Sequence, residues 1–330
     1  MRRAAALLCA ALLLSGGCSP TSEPDPSASP SPLGDDPLRD RQWGLDLLDP
    51  ERTAWPVTRG EGVTVAVVDS GVDADHPDLA GRVDAGIDLV EPGTPPDDQY
   101  GHGTHVAGII GAEPGNDVGV AGLAPDVRIL PVRVLDADGR GTFARTARGI
   151  AWAVDHGADV LTLSLTLAKD DRRVRSAVGR AVDRGVVVVA AAGNRSCPPG
   201  GVNQTVYPAA YPGVVGVGGV DDTGAVASFS SCGPWVDLLA PGLGIISIVP
   251  PQSRRPECRD ADGSCLLSGT SEAVPFVAAA AALRLAQLGD SADGRRVATD
   301  LVESAADVDP SGPDLRSGHG LLDLEALLDR

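Results

Sequence analysis

Beyond residue 36 the chain alternates short apolar runs with amphipathic stretches. Residues 63–68 form an almost unbroken apolar run that ends at Asp69, the pattern of a strand buried on both faces. Phe143, Ala147, Ile150, Ala151 and Val154 recur at helical spacing, with Thr142 placed to cap the start and Gly157 to close the end. The same reading predicts strands over 160–165 and 186–192 and a helix over 172–184. Residues 271–288 are alanine-rich and apolar on most faces, so this helix is expected at the centre of the molecule. Strands alternating with helices predict an α/β class: a doubly wound, mostly parallel sheet with helices on both faces. Its ligand crevice is expected at the carboxyl ends of the strands. No internal repeat or linker interrupts the pattern after residue 37, so 38–330 is expected to be one domain.

Composition sharpens this. With 43% hydrophobic residues but only 3% aromatics, the core must be built from Val, Leu, Ile and Ala. A net charge of −18 argues against a nucleic-acid backbone or an anionic membrane surface as partner. The N-terminus has a different character. Arg2 and Arg3 precede an apolar run over 4–14, then Ser15-Gly16-Gly17-Cys18. A basic start, a short apolar run and small residues mark 1–17 as a secretory signal, too short to span a bilayer. Cys18 is expected as a lipidation site, because its setting resembles a bacterial lipobox. Residues 18–37, rich in Pro, Ser and Asp, then act as a disordered spacer, reaching on the order of 50 Å at ~3.1 Å per residue. The expected location is the extracytoplasmic face of the cell membrane, held by lipid alone, with the protein a monomer. Of the cysteines in the exported part, Cys258 and Cys265 lie close together, and Cys197 and Cys232 follow strands. Pairing 258–265 and 197–232 is expected over a metal site, since export favours oxidation.

The chemistry-bearing residues fall where the crevice should be. Asp69 closes a strand, His102 starts a helix in Gly-His-Gly-Thr-His, and Ser271 starts another in Ser-Gly-Thr-Ser. A hydroxyl, an imidazole to take its proton and a carboxylate to orient the imidazole are what acyl transfer requires. Asn194, just past a strand, offers a side-chain amide to a developing oxyanion. The α/β-hydrolase arrangement does not fit, because no Gly-x-Ser-x-Gly is present. His76, His105 and His156 are expected to be structural, and 213–219 to be strand and turn, not a phosphate loop.

These segments, with Gln42-Trp-Gly-Leu, His76-Pro-Asp-Leu, the run Val-Gly-Val-Ala-Gly-Leu-Ala-Pro from Val118, Phe229-Ser-Ser and Ser317-Gly-His-Gly, occur in one order. That order resembles the subtilisin-like serine proteases, or subtilases. The resemblance implies a serine endopeptidase acting on polypeptides through an acyl-enzyme. Asp69 would be the orienting acid, His102 the general base, Ser271 the nucleophile and Asn194 the oxyanion donor. It further implies that an extended substrate lies along Ser164, Leu165 and Thr166 on one side and Ser268 and Gly269 on the other. No cofactor is implied for the chemistry. A structural calcium is implied at Asp78 and Asn116, completed by carbonyls of Glu113, Val118 and Val120 and approached by Asp36. Two positions depart from the family pattern. Thr166-Leu167 replaces two glycines, which is expected to narrow the specificity pocket. Glu272 replaces Met; it is expected to oppose the oxyanion unless it reaches solvent or a cation, or else to select a basic residue on the leaving-group side. The competing expectation, from another class, is a catalytically silent lipoprotein that binds peptides or scaffolds a complex through the same groove.

Overall fold

The computed structural model describes residues 36–258, 263–308 and 312–330. The expected signal 1–17, Cys18 and the expected spacer up to residue 35 lie outside the described residues; Asp36, placed at the end of that spacer, is instead buried and accepts the N–H of Gly115 and Asn116. In chain order the elements are α1 (Trp43–Leu48), α2 (Pro50–Thr53), β1 (Thr64–Asp69), β2 (Ile87–Asp88), α3 (His102–Gly111), β3 (Arg128–Arg133) and α4 (Phe143–Asp155). They continue with β4 (Val160–Leu163), α5 (Arg172–Asp183), β5 (Val187–Ala191), β6 (Val214–Val220), β7 (Leu238–Pro241) and β8 (Ile245–Ile248). After β9 (Ser264–Leu267) come α6 (Thr270–Leu288), α7 (Gly294–Glu303) and α8 (Leu324–Leu328).

Seven strands form one sheet in the order β2-β3-β1-β4-β5-β6-β7, and each neighbouring pair is parallel. Strands β8 and β9 pair antiparallel, as a separate ribbon. Successive strand residues feed opposite cores. Val65, Val67, Val187 and Val189 pack on one face, while Ala66, Val68, Val188 and Ala190 pack on the other. This alternation across a doubly covered sheet explains why the strands are apolar without a polar phase. α3 and α6 belong to the first core, α4 and α5 to the second. The sheet winds outward in both directions from β1 and β4, so the crevice opens where those two strands end.

Local signals explain most boundaries. The Thr142 hydroxyl accepts the Arg145 N–H at the start of α4, and the Asp171 carboxylate caps α5. The strand expected over 160–165 is hydrogen-bonded in the sheet only to Leu163, which leaves 164–166 as an unpaired extension. Helix α6 is long and apolar enough, by length and composition, to cross a membrane. Its apolar window is 78% buried inside the protein, as suits a central core helix. Cys197 pairs with Cys232 and Cys258 with Cys265, as expected, although Cys265 lies on β9 and not in a loop.

Candidate active site

Asp69 is the last residue of β1 and is 1% exposed. Its Oδ1 lies 2.8 Å from His102 Nδ1 and accepts the Ser70 N–H at 2.8 Å, while its Oδ2 has no hydrogen-bond partner. His102 opens α3, a helix whose every residue is buried. The approach of that helix to β1 depends on Gly103, because a Cβ there would sit 2.0 Å from the Gly71 carbonyl oxygen. The start of α3 is held by Asp98, a residue that sequence reasoning missed. Its Oδ1 accepts the N–H of Tyr100 and Gly101 and the Ser70 hydroxyl, and its Oδ2 accepts the Thr104 N–H and hydroxyl. Asp98 lies three residues before the N-cap Gly101, outside the usual capping position, so no local signal marked it.

Ser271 lies in the first turn of α6, where the helix dipole presents its positive end. Pro275 stands four residues further on and has no N–H to give the Ser271 carbonyl. Ser164 supplies the missing donor: its hydroxyl donates to Ser271 O at 2.7 Å, and the Ser271 hydroxyl donates back to Ser164 O at 3.1 Å. Asn194 follows β5. Its Oδ1 accepts both the N–H and the hydroxyl of Thr270, at 2.8 and 2.9 Å, which fixes the amide with Nδ2 toward the groove. Gly269 permits this closeness, since a Cβ would come within 2.8 Å of Asn194 Nδ2 and 2.7 Å of a Glu272 carboxylate oxygen.

These residues share one groove of about 600 Å3, lined among others by His102, Ser164, Leu165, Thr166, Asn194, Ser268 and Ser271. Gly269 is buried behind that lining. Leu167 and Tyr207 exchange backbone hydrogen bonds at 2.6 and 3.0 Å, so the wall carrying Thr166 is tied in place.

Of the expectations for Glu272, the packing matches the one in which the carboxylate finds a cation, here the His102 ring. The side chain is 1% exposed and so does not reach solvent, although the residue is one of those lining the groove. Its Oε1 lies 3.6 Å from His102 Nε2 and has no hydrogen bond of its own. Burial alone would push the His102 imidazole down, but Asp69 and Glu272 outweigh it and hold its pKa at about 10. For Glu272, burial works against the charge, and His102 keeps the carboxyl below its ordinary range nonetheless.

His76, His105 and His156 each make local packing or hydrogen-bond contacts. His105 is buried, its Nε2 lies 3.1 Å from the carbonyls of Ile245 and Cys265, and burial lowers its pKa to about 4. His76 Nδ1 accepts the Asp78 N–H, and His156 stacks on Trp152.

Away from the groove, Asp78 is fully buried and accepts the Asn116 side-chain amide and the Val120 N–H. Asp36 reaches the same loop, accepting the N–H of Gly115 and Asn116. Burial pushes Asp78 up to about 7, and the neighbouring charges of Asp36 and Glu113 push the same way. Among the described residues no three His, Cys, Asp or Glu side chains converge as a metal site. Two buried carboxylates beside an amide and backbone carbonyls are nevertheless the oxygen-rich chemistry that suits calcium.

The Subtilase family pattern matches residues 60–320 of this chain. Thermitase of Thermoactinomyces vulgaris is 42% identical over 81% of this chain and 88% of its own length. Subtilisin DY of Bacillus licheniformis is 36% identical over 86% and 97%. The Thermophilic serine proteinase of Bacillus sp. (strain AK1) is 45% identical over 71% of this chain, which spans only 55% of that relative. Among solved structures, a protease from Pseudoalteromonas arctica matches with a TM-score of 0.79 and 29% identity, over 90% of this chain and 99% of that one. With strand ends, helix starts and groove in this arrangement, the chain belongs to the subtilase family, the subtilisin-like serine endopeptidases.

Proposed function

We propose that the chain hydrolyses polypeptides through Asp69, His102 and Ser271, by way of an acyl-enzyme on Ser271. The observation that carries this is the 2.8 Å contact of Asp69 with His102 in the groove that also holds Ser271 and Asn194. Ser271 Oγ attacks the peptide carbonyl carbon while its proton passes to His102 Nε2. The developing oxyanion is received by Asn194 Nδ2 and the Ser271 N–H, at the positive end of α6. The tetrahedral intermediate collapses as the C–N bond breaks and His102 gives its proton to the leaving amine. Water then repeats the sequence on the ester and regenerates the serine. An extended substrate pairs with the free edge at 164–166 on one side and with 268–269 on the other, so backbone bonds give affinity with little side-chain selectivity. Labelling with a fluorophosphonate tests this reading. Ser271 is expected to be modified, and Ser271→Ala and His102→Ala are expected to abolish labelling. A wild-type protein that never labels would favour the silent peptide-binding alternative.

We also infer export and a lipid anchor on Cys18, supported by the pattern of residues 2–18. Mass spectrometry of the membrane fraction is expected to find a diacylglycerol adduct that Cys18→Ala loses. Calcium at Asp78, Asn116 and Asp36 is inferred as a structural aid that takes no part in the chemistry. The protein is expected to work as a monomer.

A further inference from the structure

Glu272 is the buried titratable group that the hydrolytic sequence leaves without a role. It follows the nucleophile directly on α6, yet its side chain turns back under the groove, where Oε1 sits 3.6 Å from His102 Nε2. That nitrogen is the atom that must accept the Ser271 proton. Two arrangements of one proton are open to the pair. An imidazolium can face a carboxylate, or a neutral carboxyl can point its O–H at the ring. Either way Nε2 meets a proton and has no lone pair to offer. The Ser271 hydroxyl is correspondingly turned away and gives its single proton to the Ser164 carbonyl.

The surroundings favour the charged arrangement. From β1, Asp69 faces the other ring nitrogen at 2.8 Å. From α3, His105 is held neutral by burial and offers little competing charge. From the loop after β8, Arg255 lines the same groove, stacks 5.5 Å from the Tyr100 ring and helps keep Glu272 ionised. The imidazole is thus bracketed by a carboxylate at each nitrogen, in a site where Glu272 and Asp69 are each 1% exposed. Low solvent access strengthens both attractions.

We propose that Glu272 is a positioning residue that keeps His102 protonated in the resting enzyme, so that the general base becomes available only under alkaline conditions. This rests on the protease reading above. Rising pH removes the shared proton, frees Nε2 and lets Ser271 turn toward it. Below that point the carboxylate acts as a brake that a neutral side chain at 272 would lack.

The test uses the described protein labelled with 15N-histidine, in wild type and Glu272→Gln, a change that keeps shape and removes charge. The ring nitrogens of His102 are followed by NMR across pH, and the rate of fluorophosphonate labelling is measured on the same samples. In wild type His102 is expected to remain protonated beyond about pH 8, well above an ordinary imidazole. In Glu272→Gln it is expected to lose its proton at least about one pH unit lower, and labelling near pH 7 should be about tenfold faster or more. Wild-type His102 already neutral at about pH 7 would overturn the proposal without any variant, as would coincident titrations in the two forms. If the titrations separate as expected but Ser271 labels at no pH, the brake stands and the protease reading fails.

Discussion

Ser164 and Ser271 exchange two hydrogen bonds in opposite directions, each hydroxyl donating to the other residue's carbonyl. One of them exists because Pro275 cannot donate within α6. The other holds the Ser271 hydroxyl in its rotamer. Ser164→Ala therefore strands a carbonyl near the start of the central helix. A loss of about 1–3 kcal/mol is expected in denaturant unfolding. Ser164→Thr, which keeps the hydroxyl, is expected to recover most of it, and equal losses in both variants would count against this role.

Asp98 gathers five donors around the start of α3 and so fixes where His102 stands. Asp98→Ala leaves these groups without an acceptor in a buried place. The variant is expected to lose about 2 kcal/mol or more of stability and to slow Ser271 labelling at least about tenfold. Labelling at the wild-type rate would show that α3 is positioned by packing alone.

The buried Asp78 is expected to make stability depend on pH and, where it holds calcium as proposed, on calcium as well. Its pKa in the folded state, about 7, lies above that of an unfolded aspartate, near 4. A folded group that prefers its proton stabilises the fold below the unfolded value, and that stability is lost as pH rises through the folded value. Calcium-free protein is thus expected to show a falling melting temperature between about pH 4 and about pH 7. Calcium should raise the melting temperature at neutral pH, and Asp78→Asn should remove both effects. A melting curve indifferent to calcium and pH would contradict the assignment.

Thr166 stands exposed on a groove wall tied down by the Leu167–Tyr207 pairing. Thr166→Gly removes a β-branched side chain without freeing the backbone of its neighbour. A peptide-library profile is expected to shift toward larger residues on the acyl side, by about tenfold relative to small ones. An unchanged profile would place the selective contact elsewhere.

Much of the molecule was legible along the chain. The strand ending at Asp69 declared itself because a parallel strand covered on both faces must be apolar at every position. Thr142 marked its helix start because capping is local, and the short separation of Cys258 and Cys265 marked their pairing. The order of Asp69, His102, Asn194 and Ser271 carried the family resemblance and, with it, the expected chemistry. Other features needed the assembled fold. Asp36 and Asp78 come to share Asn116 only once the N-terminal segment packs on the 113–120 loop. Asp98 becomes a cap only when the turn before α3 folds back on it. The contact of Glu272 with His102 is the clearest case. The residue after Ser271 could point to solvent, substrate or core, depending on how α6 docks beneath β4, β5 and β6. Sequence determined which groups exist and which elements bear them, because propensity and capping act over a few residues. The tertiary structure decided which charges face one another without water, since burial and angstrom-scale separation arise only when distant segments pack.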